Sequence, residues 1–288
     1  MWNYRRVLTR ETPLSQPNIK VGVLDSGVNV NHPYLYNKVI NKMNLTASDF
    51  KDNVGHGTQI SGIINILCDN ITIYSYKLYN DFHEINNLNI IRGIYKAAND
   101  GIDILNISLG TYQDYSTSKG TLIIDSYKKA VQYAKEKGML IVASAGNDNL
   151  NTNDISTIHL PSDLDSVICV GSSTRYNRIA PYSNFGENVD IYAPTGNLYN
   201  ESGDEDTSQL IMTYASGHIS PLQTYNKIYN IPSHLTLSYG TSLAVPQVLV
   251  ALYLLMAKFP NKEIEFYKYK MLENSHNLFK ENYELRIL

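Results

Sequence analysis

The chain has 288 residues, 43% of them hydrophobic, which is enough to bury the core of one large domain. Its 24 basic and 27 acidic residues leave a formal charge of −3, so it carries no electrostatic footprint for nucleic acid or an anionic membrane. Two cysteines, Cys68 and Cys169, are too few for a disulfide framework and read as structural thiols of a reducing compartment.

From the N-terminus, "MWNYRRVLTRETPLSQPN" is basic but lacks an apolar core of signal-peptide length. The first strand is expected near Ile19, which leaves no room for a folding prodomain, and the expectation is one domain over 1–288. Strands are predicted at 19–24, 71–78, 102–108, 139–145, 166–172 and 189–193. Several are apolar without alternation, as strands covered on both faces should be. Helices are predicted at 57–67, 85–100 and 121–137, the last two closed by Gly101 and Gly138. A buried helix follows Ser242 and a more polar one spans 261–273. The longest apolar run, "VLVALYLLMA" at 248–257, is too short to span a bilayer, so a cytoplasmic location is expected. Alternating strands and helices imply an α/β fold, three-layered, with a mostly parallel sheet and helices on both faces. Only 199–232 lacks a period; it reads as an irregular insert before Ser242.

In an open parallel sheet, chemistry collects outside the carboxyl ends of the strands. "VLDSG" puts Asp25 at the end of the first strand, "GHGTQ" puts His56 at the entrance to the first long helix, and "YGTSLA" puts Ser242 at the start of the late apolar helix. Singly, these residues read as a turn aspartate, a turn histidine and a helix-capping serine. Jointly and in this order they have the types of a Ser-His-Asp triad. "SAGNDN" adds Asn147, whose amide can point into the same cleft.

With "VGVLDSGV", "GHGTQISG", "ILNISLG", "VASAGN" and "YGTSLAVP" in sequence, the chain resembles the subtilisin-like serine proteases from about Ile19 to the helix after Ser242. The resemblance implies that Asp25, His56 and Ser242 are the triad and Asn147 the oxyanion donor. It implies a peptide substrate bound in extended conformation on Ser108, Leu109 and Gly110. Those three and Ser144, Ala145 and Gly146 would wall the pocket for the residue before the cut. His83, Glu84 and Ile85 would form a second substrate-flanking strand, made narrow by bulky side chains, and His159 would lie at the pocket floor.

Two non-catalytic histidines of the family pattern are replaced by Gln59 and Gln247. Only 21 positions separate His56 from Lys77, and "CDN" at 68–70 supplies too few oxygens for the calcium loop that many relatives carry. No metal or other cofactor is expected, and the "NDNLNTND" loop at 147–154 reads as solvated. No nucleic acid or membrane partner is expected. An intracellular protease without a prodomain needs selective subsites, and the chain looks similar to lantibiotic leader peptidases, which cut the leader from a precursor peptide. The alternatives are a general intracellular protease and a peptide-binding pseudoenzyme.

Overall fold

The computed structural model describes residues 2–7, 18–81, 84–153, 156–200, 202–217, 222–273, 275–279 and 282–284. In chain order these form α1 (Trp2–Val7), β1 (Val21–Asp25), β2 (Val39–Asn44), α2 (His56–Leu67), β3 (Ile73–Lys77), α3 (Asn87–Asn99), β4 (Ile104–Ile107) and β5 (Thr111–Asp114). There follow α4 (Ser118–Glu136), β6 (Leu140–Ser144), β7 (Thr157–Leu160), β8 (Val167–Ser173) and β9 (Ile191–Pro194). The chain ends with β10 (Ile211–Tyr214), α5 (Gln223–Ile228), β11 (Leu235–Ser238), α6 (Thr241–Lys258), α7 (Ile264–Glu273), β12 (His276–Phe279) and β13 (Asn282–Glu284).

The main sheet has the order β12-β13-β9-β8-β6-β4-β1-β3-β2, and every pairing from β9 through to β2 is parallel. Side-chain alternation divides the core into two layers. Val21, Val23, Ile104, Leu140 and Val142 pack with α2 and α6, whereas Leu24, Leu105, Ile107, Ile141 and Ala143 pack with α3 and α4. This three-layer α/β sandwich is the predicted one. Among the described residues, α6 is the helix long and apolar enough to cross a membrane, but Leu243–Tyr253 is buried in the core.

β1 lies between β3 on one side and β4 on the other, and the chain runs through β2 and β3 before crossing β1 to β4, so β1 marks a switch point whose carboxyl edge opens a crevice. The helices α2 and α6 both start at this edge and pack along each other.

The segment 199–232 is less irregular than its sequence pattern suggests. It contains β10 and α5, and β10 pairs antiparallel with β11, whose last residue lies just before the Tyr239–Ser242 turn. Its apolar residues were not periodic because they serve a short two-stranded ribbon rather than the main sheet. The ribbon braces α2: Thr213 Oγ1 donates to the Gln59 carbonyl at 2.6 Å, and Tyr214 packs at Gly62. From the other side, Tyr4 of α1 donates to the Met212 carbonyl at 2.6 Å. The insert thus ties the helix that carries His56 to the strand that leads into Ser242.

Candidate active site

Asp25 ends β1 and is 1% exposed, so its charge must be met by donors rather than water. The Ser26 N–H donates to Asp25 Oδ1 at 2.7 Å, the Tyr79 hydroxyl donates to the same oxygen at 3.0 Å, and His56 Nδ1 lies 2.9 Å from both carboxylate oxygens. The carboxylate therefore fixes the proton of the neutral imidazole on Nδ1 and leaves Nε2 as the basic nitrogen. Burial alone would lower the His56 pKa, but the Asp25 charge and hydrogen bond, helped by Asp52, raise it above the usual histidine value.

His56 opens α2, and a second acid sets that helix end. Asp52 is buried, and its oxygens accept the N–H groups of Gly55 at 2.7 Å and Thr58 at 2.9 Å, together with the hydroxyls of Ser26 at 2.8 Å and Thr58 at 2.5 Å. Unpaired first-turn donors are thereby satisfied by an anion at the positive helix end. Gly57 follows His56 because a Cβ there would run into the Gly27 carbonyl.

Ser242 sits in the first turn of α6, where its N–H has no helical acceptor. Its Oγ donates to the Ser108 carbonyl at 3.0 Å, and Ser108 Oγ donates to the Ser242 carbonyl at 2.7 Å. Asn147, exposed after β6, accepts the Thr241 N–H and hydroxyl on its amide oxygen, each at 2.9 Å. Its Nδ2 has no partner among the described residues, so the amide is oriented by one end and available at the other.

The expected pocket walls leave neighbouring strands: Ile107 pairs with Ala143, so Ser108, Leu109 and Gly110 emerge beside Ser144, Ala145 and Gly146. Asn184 holds the second wall, donating from Nδ2 to the Ala145 carbonyl at 2.8 Å and from N–H to the Gly146 carbonyl at 3.0 Å. His159 is on β7 opposite Tyr112 and is buried directly beneath Gly110, where a Cβ would lie 2.5 Å from its Nε2. The Tyr112 ring packs on His159 with centroids 4.7 Å apart, and its hydroxyl lies 2.6 Å from Asp148 Oδ2 and 2.7 Å from Asn184 Nδ2. Burial drives the His159 pKa down to about 4, so the imidazole is neutral.

The strand expected at 83–85 is different. His83 lies outside the described residues, whereas Glu84 sits in a tight turn rather than an extended strand. The Glu84 N–H donates to the Asp81 carbonyl at 2.9 Å, and its carboxylate folds back to the Asn80 N–H at 2.7 Å. Ile85 packs against the α3–α4 layer. Local polar side chains thus capture this backbone before it can extend.

Sequence reasoning missed Tyr79, Asp52, Ser26, Tyr112 and Asn184. The available signal for Tyr79 was its place two residues past Lys77, the register partner of Asp25. The two glutamines that replace family histidines are accommodated as uncharged groups; buried Gln247 donates to the carbonyls of Pro194 at 3.0 Å and Leu243 at 3.1 Å.

The profile of the Subtilase family matches residues 16–287. The chain belongs to the subtilase family. This subtilase is 31% identical, over 91% of its length, to the nisin leader peptide-processing serine protease NisP of Lactococcus lactis subsp. lactis, and it spans 44% of that protein. The crystal structure of a lanthipeptide protease superposes with a TM-score of 0.85 at 31% identity, covering 94% of this chain and 86% of the other. The nisin leader peptidase NisP from Lactococcus lactis gives 0.83 at 28% identity, over 99% and 91% of the two chains. The subtilase therefore shares with these proteases the frame in which its Asp25–His56 pair and Ser242 turn are set.

Proposed function

We propose that this subtilase is a serine endopeptidase that removes the leader from a lantibiotic precursor peptide. The observation that carries the reading is the joint one: an Asp25–His56 pair and a helix-start serine set at one sheet edge, in a chain that is similar to leader-processing proteases over more than nine-tenths of its residues. In the reaction, Ser242 Oγ turns from the Ser108 carbonyl toward His56 and attacks the scissile carbonyl carbon while His56 Nε2 takes its proton. The negative charge that forms on the carbonyl oxygen is met by Asn147 Nδ2 and the Ser242 N–H, at the positive end of α6. His56 then gives its proton to the leaving amine. Water, deprotonated by His56, hydrolyses the acyl-enzyme and releases Ser242. Asp25 holds the imidazole tautomer and stabilises the imidazolium throughout.

The substrate lies extended along Ser108–Gly110, its side chain before the cut entering between that segment and Ser144–Gly146. The buried thiols Cys68 and Cys169 suit a reducing compartment, and the proposed location is the cytoplasm. Incubation with a leader-bearing lantibiotic precursor and, separately, with denatured casein tests the substrate. Cleavage at one bond of the precursor with casein left intact is the expected result. Rapid casein digestion with no preference for the precursor would end the leader-peptidase reading while leaving the protease reading in place.

A further inference from the structure

Tyr79 is fully buried and lies beyond the carboxyl end of β3, beside the catalytic carboxylate rather than in the substrate cleft. Its position is set by backbone register: Asp25 pairs with Lys77, and the Leu78 N–H donates to the Asp25 carbonyl at 2.8 Å. Asn89 of α3 donates to the Leu78 carbonyl at 3.3 Å and pins the same turn. The phenol is thus delivered to Asp25 Oδ1 by a sheet register and a helix contact.

We propose that Tyr79 is a positioning residue of the triad, whose hydroxyl holds the Asp25 carboxylate against His56 and offsets part of its negative charge, so that His56 stays neutral, and the nucleophile active, to lower pH. A hydroxyl dipole with its proton on the carboxylate opposes the field that favours the imidazolium. Burial, and then the Asp25 charge, push the Tyr79 phenol well above its ordinary pKa, so it remains a donor throughout the working range.

Among the described residues, the charged groups that shift His56 are Asp25 of β1 and Asp52 of the turn before α2. Lys77, at the end of β3, turns its ammonium away onto the carbonyls of Asp49 at 2.9 Å and Lys51. The residues at the end of β4 and the start of α6, Ser108, Thr241 and Ser242, carry hydroxyls and no charge. Beside the backbone N–H of Ser26, Tyr79 is therefore the neutral side-chain donor through which the Asp25 field at His56 is moderated.

The inference rests on the protease reading, and its test separates the two. The rate at which a fluorophosphonate labels Ser242 is measured against pH in the wild type, in Tyr79→Phe, and with 3-fluorotyrosine placed at position 79. No labelling of the wild type would reject the protease reading itself. With labelling established, Tyr79→Phe is expected to move the acid limb upward on the order of half a pH unit. One unit below the wild-type limb, labelling then falls about threefold beyond any change in the plateau. The more acidic fluorophenol donates more strongly and should move the limb downward. An unmoved limb in Tyr79→Phe, whatever its plateau, or a shift of both variants in one direction, overturns the proposal. Should Tyr79→Phe fail to fold, the direction of the fluorotyrosine shift decides alone.

Discussion

Ser242 and Ser108 exchange two hydrogen bonds: Ser242 Oγ donates to the Ser108 carbonyl at 3.0 Å, and Ser108 Oγ donates to the Ser242 carbonyl at 2.7 Å. The proposed nucleophile is thereby laced to the end of β4, the segment proposed as one wall of the substrate cleft. The Ser242 hydroxyl donates to a backbone carbonyl, and in the proposed reaction it has to turn toward His56.

Replacing Ser108 by Ala removes the one of these bonds that fixes the first turn of α6, together with the hydrogen bond at 2.9 Å between Ser108 Oγ and the buried Asn106 side chain. A neutral hydrogen bond contributes about 1 kcal/mol, so urea unfolding should show a loss of about 2 kcal/mol. Fluorophosphonate labelling of Ser242 should slow severalfold yet go to completion. Wild-type labelling kinetics in Ser108→Ala would show that α6 is positioned without this contact. Ser242→Ala, in contrast, should take up no label.

Asn147 presents a sharper expectation because its two ends have separate work. Thr241 occupies the amide oxygen, so Asn147→Ala loses both that anchor and the donor at Nδ2. In subtilisin, the type member of this family, loss of the corresponding asparagine lowers turnover by roughly 10²–10³. The same range is expected here on a cleavable precursor peptide. KM should change little, since the charge that Asn147 meets develops only in the transition state. A change mainly in KM would place the amide in substrate binding instead.

Asp52 is buried and receives two hydroxyls and three N–H groups, those of Val54, Gly55 and Thr58. An asparagine has one acceptor oxygen and would aim an NH2 group at donors such as the Thr58 N–H. Loss of charge-assisted bonds without replacement costs about 3 kcal/mol. Asp52→Asn should therefore unfold at lower urea and also reduce the labelling rate, because the distorted helix end carries His56. Stability and labelling both at wild-type levels would show that the loop before α2 is held by its other contacts.

The sheet was readable because β1, β3, β4, β6, β8 and β9 are short apolar runs separated by helical periods. β2 was not, since its "VINKMN" lies at the sheet edge with a half-exposed to exposed pattern that resembles a polar loop. β5 with β7, and β10 with β11, escaped because four-residue pairings outside the main sheet leave no lasting alternation. Asp25, His56, Asn147 and Ser242 were legible as motifs, since each needs particular neighbours in its turn. Tyr79 and Asp52 were not. Tyr79 reaches Asp25 only through the β1–β3 register, and Asp52 reaches Ser26 only after the chain has turned back through β2. The turn at Glu84 has the same origin: similarity suggested an extended segment, whereas the Asp81 carbonyl and the Asn80 N–H hold Glu84 in a turn.

His159 gives a stability expectation with a definite sign. Burial lowers its pKa from 6.5 in the unfolded chain to about 4 in the folded protein. Between those values the unfolded state binds the extra proton, so stability is complete above pH 6.5 and declines as pH falls toward 4. A shift of this size corresponds to about 3 kcal/mol. His32, also lowered chiefly by burial, acts in the same direction, whereas His56, raised on folding, loses its contribution as pH rises from its unfolded value through its folded one. His159→Gln isolates the term: Gln can keep a hydrogen bond to Ser162, which lies 2.8 Å from His159 Nδ1, but it does not titrate. Urea unfolding of both proteins from pH 4.5 to 7.5 should give a steeper acid loss in the wild type, the two curves converging in slope above pH 6.5. Parallel curves across the whole range would mean that His159 is charged, or reached by solvent, beneath Gly110.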